Sequence, residues 1–386
     1  MSIHFNDIDK IIEFRKDLHS HPELSGKEIH TSKKIVQFIS KYNPDKIIEN
    51  IGGYGVIAVF KGSIPGKNIM FRADMDALPI QEESSLNYKS TIKNVAHLCG
   101  HDGHSAILGN LISLISENRP TRGSISFLFQ PAEETGEGAV NIINDKNFET
   151  PDFIFALHNL PGYSKNEILL KAGTFAAASR GMIIKLTGKQ SHAAEPEKGI
   201  SPALAMSELV TFFTELDTMD NLFSDFVLTT VVYARLGEIA FGTTPGNAEV
   251  MVTLRSFTDN DMQQLIEFSK QKVNGISQKY KIQYELSFVD EFPATVNDPG
   301  CIKTITELCN KTGYNYKLLE QPFKWSEDFG RYTSIIPGAL IGVGSGEEHP
   351  NLHNPGYDFP DEIIPVSTKF LFDVYQKFSE QVKINE

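Results

Sequence analysis

Residues 97–108 of the chain read HLCGHDGHSAIL. The first eight of these positions hold three histidines, a cysteine and an aspartate, and the apolar run that follows is typical of a helix. Such a stretch has three possible interpretations. It is a metal site, a cysteine nucleophile beside its base, or a polar turn without a function.

Segments with the composition of β-strands alternate with helical segments around this stretch. The strand-like segments are rich in Ile, Phe and Val, which are enriched in sheets. They read GVIAVFKG, NIMFRADM, SISFLFQ, DFIFALHN and ALIGVG. This alternation predicts an α/β fold, with a mixed, largely parallel sheet flanked by helices.

The pattern changes in the middle of the chain. Between residues 177 and 289, strand and helix signals follow the order βαββαβ, which is typical of a ferredoxin-like α+β unit. The α/β pattern resumes afterwards with CIKTITELCNKTG. We therefore predict one discontinuous domain of residues 1–176 and 290–386, and one inserted domain of residues 177–289.

Composition restricts the class of protein. The chain has 386 residues, 40% hydrophobic and 22% charged, which is typical of a globular protein of about two domains. Its net charge of -13 argues against nucleic acid or an anionic membrane as a partner. It has three cysteines and no basic segment followed by an apolar run at the start. We expect a cytoplasmic protein that does not enter the membrane.

Acidic and imidazole side chains follow the ends of the predicted strands. Ligands of open α/β sheets bind at the carboxyl ends of strands, so these side chains are expected to converge there. Cys99 and His101 are two positions apart, and thiolate and imidazole are ligands suited to zinc and its transition-metal neighbours. The remaining candidate ligands are Glu133, Glu134, His158, His349 and His353.

The adjacent glutamates Glu133 and Glu134 are suited to two different catalytic roles. One carboxylate would hold metal while the other transfers a proton between water and the leaving group. The residues themselves do not say which glutamate does which. A cysteine nucleophile with His101 or His104 as its base is the alternative, but it leaves the paired glutamates and His353 without a role.

Several other polar residues have a simpler structural interpretation. His19 and His21 are interpreted as surface residues or as supports of the site. The acidic pairs Glu82–Glu83 and Glu347–Glu348 are interpreted as solvated, and Cys301 and Cys309 as small buried hydrophobes in a helix.

A series of motifs makes the chain resemble a known family along nearly its whole length. The motifs are RKDLHSHPELSGKE, FRADMDALPI, HLCGHDGHSAILG, QPAEETGEGA, ALHN, SHAAEPEKGISP, WSEDF and LHNPGYDF. In order and spacing they resemble the metallo-amidohydrolase branch of the aminoacylase and glutamate-carboxypeptidase superfamily. That branch includes hippurate hydrolases, N-acyl-amino-acid amidohydrolases and auxin-conjugate hydrolases.

The resemblance implies a zinc-exopeptidase-like catalytic domain that binds two divalent metal ions, either zinc, manganese, cobalt or nickel. Glu133 would be the general base, and Asp76 the carboxylate that supports a metal-bound imidazole. Asp74 would line the site without being a ligand. The implied metal ligands are Cys99, His101, Glu134, His158 and His353.

The resemblance also assigns roles to the inserted domain, which would serve as a lid or for dimerisation. His192 would cross the interface of a homodimer, or of a higher homo-oligomer, and stabilise the oxyanion. Arg255 would bind the carboxylate of the substrate. One position departs from the family pattern: Gly242 replaces the usual asparagine, a change that bears on substrate preference.

Together these features predict a metal-dependent amidohydrolase that cleaves N-acyl amino acids or small amino-acid conjugates. A metallo-dipeptidase or exopeptidase is the alternative within the hydrolases. It would need a group that receives a free α-amine, which the sequence does not identify. A non-catalytic metal-dependent binding protein is the alternative from another class, and it predicts a degraded ligand set.

Overall fold

The computed structural model describes residues 8–216 and 222–380. The chain forms two compact units. The larger unit comprises the described residues up to Phe175, then Thr295–Gln321, and those from Asp328 onwards. The smaller unit comprises Ala176–Ala294, within its described part, and Pro322–Glu327. The functional division proposed from the sequence, with a lid or dimerisation domain at residues 177–289, stays a prediction.

Strands and helices alternate through most of the chain. The strands are β1 (Lys46–Ile51), β2 (Gly55–Lys61), β3 (Ile64–Asp74), β4 (Arg122–Gln130), β5 (Phe153–Pro161), β6 (Ile168–Leu170), β7 (Gly173–Ala176), β8 (Ala178–Thr187), β9 (Val227–Leu236), β10 (Asn247–Ser256), β11 (Gln283–Phe292), β12 (Thr295–Asn297), β13 (Tyr316–Leu318) and β14 (Gly338–Gly346). The α-helices are α1 (Ile8–Ser20), α2 (Ile29–Ile39), α3 (His101–Glu117), α4 (Gly138–Ile143), α5 (Ala203–Glu215), α6 (Asp259–Tyr280), α7 (Pro299–Thr312), α8 (Gly330–Thr333) and α9 (Ile364–Ser379).

The larger unit is built on an eight-stranded sheet with the order β1-β2-β4-β3-β5-β14-β6-β13. Its four central strands, β4, β3, β5 and β14, are parallel to their neighbours within that group. The strands β1 and β2 at one edge are antiparallel, as is the pairing of β14 with β6. The predicted mixed, largely parallel sheet is therefore confirmed.

Continuous apolar runs explain why the central strands are buried on both faces, as strands covered by helices must be. The last six residues of β4 are buried, and so are the last six residues of β3. Phe127 of β4 packs edge-on against Phe60 of β2 and stacks against Phe71 of β3. Aromatic pairs of this kind add to the energy of simple burial.

Helix α3 lies in the core of the larger unit. Almost every side chain from His101 to Ile115 is buried, including the polar ones at its start. It packs against α1, α9 and the central strand β3. Because α3 has little contact with solvent, its first turn carries His101, Asp102 and His104 into the interior of the larger unit.

The smaller unit has the order β8-α5-β9-β10-α6-β11, with a four-stranded antiparallel sheet in the order β11-β8-β10-β9. Helices α5 and α6 pack together, and their apolar residues join those of β8 and β10 in a second core. This is the ferredoxin-like arrangement that the βαββαβ pattern predicted.

Among the described residues, no helix combines the length and the apolar character needed to cross a membrane.

Candidate metal centre

The four central strands bring polar residues to one edge of the sheet. Because β4, β3, β5 and β14 are parallel neighbours, their carboxyl ends share that edge. Asp74 ends β3, Glu133 follows the end of β4, and His353 follows the end of β14. His158 lies within β5, which continues three residues beyond it to Pro161. These positions agree with the predicted convergence.

Cys99 and His101 are held at the start of α3 by a backbone turn that only glycine fits. Gly100 between them has φ of 96°, in the left-handed region. A Cβ at Gly100 would lie 2.3 Å from the side-chain oxygen of Asn159. The thiol and the imidazole therefore project from a tightly constrained loop.

The five predicted metal ligands lie together. Cys99, His101 and His158 form one group whose potential ligand atoms lie within 4.8 Å of one another, and Cys99, Glu134 and His353 form a second. Cys99 Sγ is 3.7 Å from His158 Nε2, and Glu134 Oε1 is 3.9 Å from His353 Nε2. Ligand atoms of one tetrahedral ion lie roughly 3.5 Å apart. The chain therefore carries clusters that are able to hold two metal ions, and Cys99 is common to both.

Hydrogen bonds orient the two buried imidazoles toward the cluster. His101 Nδ1 lies 3.0 Å from the backbone oxygen of Asp76 and 3.2 Å from its carboxylate, while His158 Nδ1 lies 2.9 Å from the backbone oxygen of Asn159. These acceptors favour protonation at Nδ1 in both rings. His101 Nε2 is buried and has no hydrogen-bond partner in the described part of the chain. A buried nitrogen left in this state is costly, and a metal ion would satisfy it.

The electrostatics of the cluster differ from those of a cysteine nucleophile. Burial raises the pKa of the Cys99 thiol to about 12, and the Glu134 carboxylate contributes in the same direction. Burial lowers the pKa of His101, but the charge of Asp74 and the hydrogen bond to Asp76 outweigh it and raise that pKa well above its usual value. Reactive cysteines have a lowered pKa, whereas a bound cation deprotonates a coordinating thiol. The arrangement favours Cys99 as a ligand.

Glu133 and Glu134 enter the site differently. Glu134 Oε1 is 3.8 Å from His101 Nε2, and Glu134 belongs to groups with His101 as well as with Cys99 and His353. Within the described chain, Glu133 shares one group with His101 and Glu134 and another with Glu327 and Asp328, but none with Cys99 or His353. Its Oε2 is 3.9 Å from His101 Nε2, and the backbone amide of Asp328 donates to its Oε1 at 3.4 Å. The division into one ligand and one base stays a prediction that this geometry favours.

Asp74 lines the site and is held by other partners. Its Oδ1 is 2.6 Å from His104 Nδ1, and its Oδ2 accepts a hydrogen bond from Arg72 Nη1 at 2.7 Å. Burial raises the pKa of Asp74, but His101, His104 and Arg72 together hold it well below its usual value. Asp74 also forms a group with His101 and His104 whose side-chain atoms lie close enough to hold a metal ion. Its interpretation as a site-lining residue therefore stays a prediction.

A buried ionic layer below the site was only partly anticipated from the sequence. Arg15 Nη1 donates to Asp102 Oδ2 at 3.0 Å and to Asp358 Oδ1 at 3.0 Å. His19 Nδ1 lies 2.9 Å from Asp102 Oδ2, and its Nε2 lies 3.4 Å from Glu82 Oε1. The spacing of Arg15 and His19 by four residues places both on one face of α1. That spacing was the available signal for this layer.

The interpretation of Glu82 as a solvated side chain is wrong. Glu82 is 5% exposed, and in addition to His19 it accepts a hydrogen bond from the backbone amide of Ser90 at 2.7 Å. Two of its partners, Ser84 and Ser90, are close in sequence, but His19 is 63 residues away, so the segment around Glu82 gave no sign of its burial. Its neighbour Glu83 is exposed, as predicted.

The interpretations of the second acidic pair and of two cysteines are confirmed. Glu347 and Glu348 are exposed, and Cys301 and Cys309 are buried in α7. Of the two histidines near the end of α1, His21 is exposed, whereas His19 is fully buried beside Asp102, so the interpretation of His19 as a surface residue is wrong and its role as a support of the site stays a prediction. His349 is not among the clustered ligands of the described chain, since its Nε2 lies 2.7 Å from the backbone oxygen of Asp358.

The remaining predicted residues lie in the smaller unit. His192 is exposed, and its Nδ1 accepts a hydrogen bond from the amide of Ala194 at 3.1 Å. The backbone amide of Ala193 donates to the backbone oxygen of Gly242. A Cβ added at Gly242 would meet no atom within 4 Å. Arg255 in β10 donates from Nη1 to Ser326 Oγ at 2.9 Å, and burial lowers the pKa of Arg255. The roles of His192 and Arg255 stay predictions.

The chain is similar to several proteins of known family or known structure. The model of a family described as peptidase family M20/M25/M40 matches residues 70–377. The chain is 30% identical over 376 residues to an N-acetylcysteine deacetylase of Bacillus subtilis, covering 97% of this chain and 98% of that protein. It is 31% identical over 372 residues to a hippurate hydrolase of Campylobacter jejuni, covering 95% and 96%. A crystal structure from Bacillus subtilis, described as a dinuclear metal-binding peptidase of the M20 family, superposes with a TM-score of 0.82 at 28% identity, covering 97% of this chain and 99% of that one.

The ionic layer around His19 makes the stability of the fold depend on pH. Burial lowers the pKa of His19, but hydrogen bonds to Asp102 and Glu82 outweigh it and raise the pKa to about 9. Since the unfolded value is about 6.5, protonated His19 stabilises the fold fully below about pH 6.5, and this contribution is lost as the pH rises through about 9. We expect His19→Gln to lower the free energy of unfolding by about 3 kcal/mol at pH 6 and by much less at pH 9.5.

Urea unfolding of metal-stripped protein at pH 6, 7.5 and 9.5 measures this difference. His21→Gln is the matched control, because His21 is exposed at the same end of α1. A loss of stability in His19→Gln that is constant across the three pH values would contradict the assignment of a protonated His19.

Proposed function

The chain belongs to peptidase family M20/M25/M40, and from that membership we propose that it hydrolyses the amide bond of N-acyl amino acids or small amino-acid conjugates. It is a metal-dependent amidohydrolase or peptidase. The observation that carries the proposal is the pair of ligand groups that share Cys99 beside Glu133 and Glu134. The N-acyl class is supported by similarity to an N-acetylcysteine deacetylase and a hippurate hydrolase.

Cys99, His101, Glu134, His158 and His353 would hold two divalent ions in this proposal. Mixed thiolate, imidazole and carboxylate donors suit zinc, manganese, cobalt or nickel. Bound ions of this kind polarise a carbonyl and make water more acidic. The donor set fits such ions because His101 offers a buried Nε2 that has no hydrogen-bond partner within residues 8–216 and 222–380.

Glu133 would carry the proton through the reaction. Water adds to the amide carbonyl carbon while Glu133 takes its proton, and the same proton then passes to the nitrogen as the C–N bond breaks. The products are a carboxylic acid and a free amino acid, and the carboxylate of Glu133 is regenerated. Glu133 is 5% exposed, so little solvent competes for the proton.

The smaller unit would contribute the remaining functions. His192 is proposed to stabilise the oxyanion, and Arg255 to pair with the substrate carboxylate. Gly242 takes the place of the amide-bearing residue usual in the family, so one hydrogen bond to the substrate is absent or supplied elsewhere. The open space at Gly242 shows that it is not required by local packing.

We further propose that the protein is a cytoplasmic homodimer that associates through the smaller unit. All three cysteines are free and buried, as suits a reducing compartment. Strand β9 is at the edge of its sheet, with Val232 60% exposed, and Ile239 and Phe241 beyond its end are fully exposed. Open edges with large apolar side chains favour pairing with a second chain.

The dimer is tested by light scattering after size-exclusion chromatography. The chain mass is 43.0 kDa, so we expect twice that value for the unsubstituted protein. Val232→Asp should shift the mass to that of one chain, because a charge would be buried at the interface. Ile335→Asp, at an exposed aliphatic residue of the larger unit, is the control. A single-chain mass for the unsubstituted protein at micromolar concentration would refute the proposal.

Substrate class and metal dependence are tested together. The metal-stripped protein is assayed for amine release from N-acetyl amino acids, hippurate and dipeptides, before and after adding zinc, manganese, cobalt or nickel. We expect activity on the acylated amino acids only after metal is added. Preference for unacylated dipeptides would instead identify a dipeptidase, and full activity in protein shown to be free of metal would refute the metal mechanism.

The role of Glu133 is tested by Glu133→Gln, which keeps the shape of the side chain and removes its proton-accepting charge. We expect kcat to fall by about 10²–10⁴-fold, as for the loss of a general base, while two metal ions remain bound. Mass spectrometry gives the number of bound metal ions, and steady-state kinetics give kcat. Glu348→Gln, at an exposed glutamate, should leave both unchanged. Near-normal turnover by Glu133→Gln would remove Glu133 from the mechanism.

A further inference from the structure

The turn that presents Glu133 and Glu134 has an unusual backbone at Ala132. Its φ is 53°, in the left-handed region that residues with a Cβ rarely adopt. The residue is buried, and its oxygen accepts a hydrogen bond from the amide of Gly138 at 2.9 Å. Because Ala132 directly precedes the two glutamates, its conformation determines the direction in which they leave β4. Such a conformation persists only when its surroundings enforce it.

A buried carboxyl from a distant segment binds the amide of Ala132. Glu28 is fully buried, and its Oε1 accepts a hydrogen bond from the amide of Ala132 at 2.8 Å. The same oxygen accepts from the amide of Gly26 at 3.0 Å. Glu28 is 104 residues away from Ala132 in sequence, so the contact ties the loop before α2 to the turn after β4.

Helix capping does not explain the burial of Glu28. It precedes α2, where an acidic side chain usually caps the first amides, yet it makes no capping hydrogen bond. Glu23 caps the helix instead, since its Oε2 accepts hydrogen bonds from the amides of His30 and Thr31 at 2.8 Å each. The side chain of Glu28 is therefore committed to Ala132 and not to its own helix.

The same loop reaches the turn a second time through Asp76. Ser25 Oγ donates to Asp76 Oδ2 at 2.7 Å, and the backbone amide of Glu134 donates to that oxygen at 3.0 Å. The residues on both sides of Glu133 thus have their amides bound, Ala132 by Glu28 and Glu134 by the carboxylate that Ser25 supports. A carboxyl oxygen accepts hydrogen bonds whether or not the group is charged. Burial and the nearby Asp76 raise the pKa of Glu28 to about 7.

We propose that Glu28, assisted by Ser25, is a positioning residue of the metal centre, which sets the Ala132 turn and thereby aims Glu133 and Glu134. The inference rests on the roles proposed for these two glutamates. Glu28 would touch neither substrate nor metal. It would act by supplying a hydrogen-bond acceptor at a fixed distance from the Ala132 amide.

Two substitutions separate acceptor position from charge. Glu28→Gln keeps an oxygen at the same reach and loses the charge, whereas Glu28→Asp keeps the charge and is one methylene too short. We expect Glu28→Gln to retain kcat and zinc affinity within about threefold, because the acceptor is kept. We expect Glu28→Asp to lower both by about 10–100-fold with KM little changed, as is usual when a group that orients metal ligands is lost.

Zinc affinity is measured by competition with a zinc-binding dye, and kcat and KM with the best acylated substrate. Ser25→Ala provides a second, milder test that does not depend on the folding of Glu28→Asp, and we expect it to lower zinc affinity by about 3–10-fold. Glu23→Ala is the control for loosening of α2; its thermal midpoint should fall by about 2–4 °C while kcat and zinc affinity stay unchanged.

Each outcome decides the proposal. The proposal is overturned if Glu28→Asp has the kcat and the zinc affinity of the unsubstituted protein, or if Glu28→Gln loses as much of both as Glu28→Asp does. It is also overturned if Glu23→Ala loses as much zinc affinity as Glu28→Asp. Should Glu28→Asp not fold, unchanged zinc affinity in Ser25→Ala overturns it. If the unsubstituted protein hydrolyses none of the substrates, the proposed function fails, and the ratios of zinc affinity still decide the role of Glu28.

Discussion

The carboxylate of Asp76 connects the parts of the chain that form the metal centre. Its Oδ1 is 3.2 Å from His101 Nδ1, and its Oδ2 receives the amide of Glu134 and the hydroxyl of Ser25. Asp76 is 1% exposed, and burial of a carboxylate is costly unless its oxygens are well bonded. Burial raises the pKa of Asp76, but these partners outweigh it and hold the pKa below its usual value. A single side chain thus sets both an imidazole and a carboxylate of the site.

Buried ion pairs extend this arrangement into the core. Arg72 pairs with Asp74 and with Asp328, each at 2.7 Å, and Arg15 pairs with Asp102 at 3.0 Å. Two buried arginines therefore balance carboxylates that come from different strands, loops and helices. Removing one partner of such a pair would leave an uncompensated buried charge, which is strongly destabilising. Acidic groups remain in excess around the ligands, which favours the binding of cations.

Chemistry-bearing residues were easier to predict than their supports. The prediction of an α/β fold followed from strand-like apolar runs, and the convergence of ligands followed from the rule that parallel strands end at one edge. Asp76 was assigned by resemblance as the support of an imidazole, and the structure shows His101 beside it. Glu28 was not identified, and Glu82 was wrongly interpreted as solvated. Each is an acid with one partner from a distant segment, Ala132 for Glu28 and His19 for Glu82, so local polarity is misleading.

The sequence by itself determined the classes of secondary structure, the insertion of a βαββαβ segment and the types of donor in the site. These depend on local periodicity and on side-chain chemistry, which are readable residue by residue. Only the tertiary structure decided which oxygen meets which donor. The central order β4-β3-β5-β14 and the Glu28–Ala132 contact are examples, because they join segments that are distant in sequence. Such pairings depend on the burial and hydrogen bonding of the whole fold, because a buried polar group is stable only when its hydrogen-bonding partners are in place.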